Sequence, residues 1–111
     1  MSTYIELEVK GTSEVVSTIK KEFEDSQREF ESSWSVLFDI DEMGFNKAFD
    51  SAFNILRSMN EKNILPHNDD GRVAIWFMYE YEGQCNIEFP LSLIKEMAEL
   101  NITLNISCWE K

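Results

Sequence analysis

Histidine occurs once in these 111 residues, at His67, and cysteine twice, at Cys85 and Cys108, 23 positions apart and in no CxxC spacing. A zinc set therefore cannot be assembled. Four glycines and two prolines leave little material for a phosphate-cradling loop, and no G-x-S-x-G is present. No segment approaches the roughly 20 apolar residues that span a bilayer. The opening "MSTYIELEVK" lacks a basic region followed by an apolar run, so a cytoplasmic location is expected, with both cysteines as reduced core thiols. Bases are also scarce: 10 Lys and Arg against 21 Asp and Glu give a net charge of −11. Such a surface repels nucleic acid and anionic lipid and attracts basic proteins. Eleven of the acids but only four of the bases fall in the first 44 residues, so the N-terminal part is the more acidic.

What is present is core material. The apolar fraction is 43%, with eight Phe, three Trp and three Tyr, and one α+β domain over residues 1–111 is expected. Ile5, Leu7 and Val9 alternate with Tyr4, Glu6, Glu8 and Lys10 in a half-buried strand. Ser13 can cap a helix through Val15, Val16, Ile19 and Phe23. This helix should fade into an acidic connector, Glu22 to Ser33, containing Glu29 and Glu31. Trp34 to Ile40 alternates as a second strand. The period then changes: Phe45, Ala48, Phe49, Ala52, Phe53, Leu56 and Met59 form one helical stripe, predicting a long helix from Phe45 to Lys62. "HNDDG", His67 to Gly71, is ordinary turn composition.

Arg72 to Gly83, apolar on both faces at first, predicts a central strand. "EG" should turn it into a hairpin with Gln84 to Phe89, whose Cys85, Ile87 and Phe89 face inward. Pro90 opens a third helix, with Leu93, Ile94, Met97 and Leu100 toward the core and Asn101 as a left-handed cap. Ile102 to Glu110 closes as a fifth strand, with Ile102, Leu104, Ile106 and Cys108 inward. The expected architecture is thus a mainly antiparallel sheet of about five strands with three helices, ordered like a ferredoxin-like split β-α-β unit.

Two stretches invite a chemical reading. "DIDEMGFNKAFD", Asp39 to Asp50, has the glycine of a calcium loop at its sixth position. However, Met43 and Asp50 occupy the fifth and twelfth, where a ligand and a bidentate Glu belong, and a strand precedes it. Asp39, Asp41 and Glu42 read better as anions capping the next helix. The second stretch is one sheet face. If Ile75, Phe77, Tyr79 and Tyr81 meet the helices, then Trp76, Met78, Glu80 and Glu82 face the other way with Glu6, Glu8, Glu88 and Trp109. Periodicity leaves open which face is covered.

The strand "YIELEV", the tryptophan-led "SSWSVLFDI", the long helix, "VAIWFMYEYEGQCNIEF" and the ending "LIKEMAELNITLNIS" together resemble small acidic bacterial immunity proteins of polymorphic toxin systems, including contact-dependent growth inhibition. The likeness covers Trp34 to Trp109 and the first strand, and transfers no residue-level role. It implies a cytosolic binder without catalysis or cofactor, whose partner is a basic toxin C-terminal domain. Glu80, Glu82, Glu88 and Trp76 are the expected contacts, with Glu29 and Glu31 of the connector next. The alternatives are a small metal-dependent enzyme using Asp39, Asp41 and Glu42, or a regulatory module with a small-molecule pocket.

Overall fold

The computed structural model describes residues 3–23, 33–66 and 71–111. The alternation of the first segment forms strand β1, Thr3–Gly11, with Ile5, Leu7 and Val9 fully buried. Thr12 Oγ1 accepts a hydrogen bond from Val15 N–H at 3.3 Å and starts helix α1, Ser13–Glu22. Ser13, the expected cap, is instead the first helical residue. A cap oxygen serves an N–H two or three residues on, and it is Thr12 that stands at that distance with extended backbone.

Strand β2, Ser33–Asp39, follows. Asp39 caps only the single turn α2, Ile40–Met43, through an Asp41 N–H bond of 2.9 Å. The long helix α3, Phe45–Glu61, has Gly44 at its N-cap and no side-chain cap. The acidic stretch is therefore a cap, as expected, but of a different helix. The stripe predicted for α3 holds: Ala48, Phe49, Ala52, Phe53, Leu56 and Met59 are buried. Strand β3, Gly71–Tyr81, helix α4, Leu91–Glu99, and strand β4, Ile102–Glu110, complete the order. Asn63 and Asn101, at φ 55° and 56°, supply the left-handed residues after α3 and α4.

One mixed sheet of four strands results, in the order β2-β1-β3-β4. β1 runs antiparallel to both neighbours, whereas β3 and β4 are parallel. The connection from β2 through α3 to β3 thus passes over β1. Ile5 stands between Phe38 and Phe77, and Leu7 between Val36 and Ile75. These residues share one core with Val16 and Ile19 of α1, the α3 stripe, and Leu93 and Met97 of α4. The three longer helices therefore cover the same sheet face. Trp34 anchors one end: fully buried, it donates from Nε1 to Phe23 O at 3.0 Å and meets the Phe23 ring edge-on. Gly71, paired with Gly11, must remain glycine, since an added Cβ would lie 1.9 Å from Lys10 O. No helix among the described residues is long and apolar enough to cross a membrane.

Four expectations change. Gln84 to Phe89 is not a strand: β3 has two edges, β1 takes one, and β4 takes the other along a nine-residue register that outcompetes a six-residue hairpin arm. The segment contributes side chains instead, with Phe89 packed edge-on to Phe77 at 5.5 Å and near Phe45 at 6.0 Å. The ferredoxin-like hairpin is therefore replaced by a parallel β3-α4-β4 unit. Ile94 and Ile106 are not core residues, being about half exposed. Cys108 is exposed and Cys85 only half-buried, because β4 is an edge strand that α4 covers incompletely. Glu29 and Glu31 of the connector, and His67 to Asp70 of the turn, lie outside the described residues.

Candidate functional site

Because β1 and β3 alternate in register, Tyr4, Glu6, Glu8 and Lys10 share the face that no described helix covers with Arg72, Ala74, Trp76, Met78 and Glu80. Trp76 lies opposite Glu6, with Asn105 of β4 on its other side. Its indole Nε1 reaches diagonally to donate to Glu8 Oε1 at 3.3 Å. Ala74 stands opposite Glu8 and is fully buried. Lys10 Nζ stands 4.0 Å from the same Glu8 oxygen.

The result is a shallow depression of about 210 Å³ lined by Tyr4, Glu6, Glu8, Lys10, Trp76 and Met78. Its floor is aromatic and thioether surface, and its acceptors are carboxylates. Glu6 is 95% withdrawn from solvent, so the carboxylates stand at the centre beside Trp76. Chemically the arrangement can seat a cationic side chain, whose stem lies on Trp76 and Met78 while its head meets Glu8.

The remaining expected contacts do not gather there. Glu80 shares the face but sits at its far end, beside Trp109. Glu82 is exposed in the turn beyond β3. Glu88 is exposed on the 84–90 segment, whose Ile87 and Phe89 pack on the helix-side core, and so leaves the sheet face altogether. Tyr4 and the basic pair Lys10 and Arg72 were missed. Lys10 was legible from the alternation of β1, but its pairing with Arg72 depends on a register that no local pattern encodes.

A wider cleft of about 470 Å³ lies beside the ends of α3 and α4, with Asn60, Asn63, Arg72, Glu99, Asn101 and Thr103 among its lining. At the other acidic stretch, Asp39 accepts from Asp41 N–H and Asp41 Oδ2 accepts from Thr3 N–H at 3.1 Å. Among the described residues no three His, Cys, Asp or Glu side chains converge as a metal set. No protein-family model, curated protein or solved structure matches the chain.

Proposed function

We propose that the protein is a cytoplasmic immunity protein, a non-catalytic binder that neutralises a basic, nuclease-type toxin domain by covering its active site. The observation that carries this reading is the cluster of Glu6 and Glu8 around Trp76 and Met78 on the sheet face that no described helix covers, in a chain of net charge −11. A site built to hold phosphates presents Lys and Arg, and those side chains fit carboxylates set on an aromatic floor. Aromatic residues and Met are enriched at interface centres, where they slow dissociation, while outlying acids such as Glu80 and Glu82 steer approach. The metal-enzyme alternative draws less support, since Asp39 and Asp41 already accept backbone N–H groups.

The test is titration of the purified protein against the toxin domain encoded beside its gene, with protection of cells as the second readout. Glu8→Gln retains an acceptor for the Trp76 indole and removes the charge, so binding should weaken while the thermal midpoint stays near wild type. Glu80→Lys with Glu82→Lys should slow association by about tenfold or more at low salt. Undiminished affinity and protection in both variants would exclude this face. A neighbouring toxin domain that failed to bind the wild-type chain would remove the immunity reading itself.

A further inference from the structure

Among the described residues, the large apolar side chains left exposed all lie on α4 or β4: Leu91 is 67% exposed, Ile94 48%, Ile106 50% and Trp109 37%. They follow one border of the molecule. Glu96 of α4 pairs with Arg57 of α3 and fixes the side of α4 that faces α3. Two residues along a helix is a turn of about 200°, so Ile94 and Ala98 point away from α3, toward the open edge of β4. Ile106 lies on the helix side of that same strand, in register with Phe77.

The two sheet edges differ sharply. In β2 the run Ser33 to Val36 is buried on both faces, whereas no residue of β4 is fully buried. Edge strands are normally protected by Lys, Pro, a bulge or a cover. From Asn101 to Trp109 there is no charged residue and no proline, and the β3–β4 register runs without a bulge.

We infer that β4 and α4 form a two-fold contact with a second copy of this chain, β4 pairing antiparallel with its counterpart so that two four-stranded sheets become one of eight. Charge selects this occupant. A basic partner gains nothing from a neutral edge and is drawn to the acidic faces, while two chains of −11 repel each other least where both are uncharged. The strand is also self-complementary. With Ile106 on the axis, Leu104 meets the partner's Cys108 on the helix side, and Asn105 meets the partner's Ser107 on the other. An even register keeps every apolar residue on its own face, and an isologous contact of this kind closes at two copies. The Ile94 sides of the two α4 helices then approach above the joined strands, and the depression around Trp76 stays open.

Sedimentation velocity of the wild-type chain from micromolar to submillimolar concentration should give a monomer–dimer equilibrium. Ile106→Lys places like charges face to face across the axis and should raise the dimer dissociation constant by at least about tenfold. Ile94→Lys should act in the same direction. Both positions are half exposed, so circular dichroism and thermal midpoint should match wild type. Ser17→Lys, an exposed change on α1, which packs on β1 and β2, should leave the dimer intact. A wild-type chain that stays monomeric throughout, or a dimer undisturbed by Ile106→Lys, would overturn the inference without bearing on toxin binding.

Discussion

Cys85 and Cys108 come from different parts of the chain, yet their side chains are near neighbours. Burial, and then the neighbouring Cys108 thiol, push the Cys85 thiol above its ordinary range. The thiolate is the reactive form, so Cys85 must be the slower of the two toward a disulfide reagent near neutral pH, and the exposed Cys108 the faster. Because the raised value favours the neutral thiol in the folded state, the stability this brings is complete below the ordinary thiol pKa. It is lost as pH rises through the raised one. Stopped-flow labelling of the native protein should show two phases, the slow one assigned to Cys85 by peptide mapping. The slow phase should accelerate with pH over a more alkaline range than a denatured control. A single phase at the denatured rate would contradict the burial of Cys85.

At the scale of elements, the informative comparison is between Gln84 to Phe89 and Ile102 to Cys108. Both alternate apolar and polar residues, and both read as strands in the sequence. Only the second has a ladder partner. Hydrogen exchange should therefore find the amides of 84–89 exchanging quickly and those of β4 facing β3 protected. Phe89→Ala should nevertheless cost about 2–4 kcal/mol in denaturant unfolding, because its ring packs with Phe45, Phe49 and Phe77 whether or not its amide is bonded. The elements themselves were legible where the pattern is local: the β1 alternation, the α3 stripe, the left-handed Asn101. Competition for an edge was not, since whether β3 pairs next with residues 84–89 or 102–110 depends on two segments contending for the same N–H and C=O groups. The faces followed the same division. Alternation placed Glu6, Glu8 and Trp76 on one side of their strands, but that Trp76 bonds Glu8 rests on the diagonal of an antiparallel register, in which the small Ala74 stands opposite Glu8. Ile94 was misjudged because helical periodicity marks an apolar arc, and only the Arg57–Glu96 pair shows which part of that arc overhangs the sheet edge.

For the molecule as a whole, the net charge of −11 makes ionic strength a means of separating its two proposed associations. A complex with a basic domain is assembled by opposite charges over long distances. The Debye length falls from roughly 30 Å at 0.01 M to 10 Å at 0.1 M salt, so its association rate should drop steeply across that range. The homodimer is the reverse case. Its contact is uncharged from Asn101 to Trp109, while the bodies behind that edge are alike in sign, so screening removes only repulsion and leaves the apolar burial unchanged. Its dissociation constant should fall as salt rises. Measuring both equilibria over one salt series, by biolayer interferometry for the toxin domain and sedimentation for the dimer, should give slopes of opposite sign. The Glu80→Lys, Glu82→Lys variant, four charges less negative, should flatten both: weaker attraction to the basic domain and weaker repulsion between copies. Parallel slopes would mean that the two contacts share a surface, and the assignment of the carboxylate face to one and the β4 edge to the other would then fail.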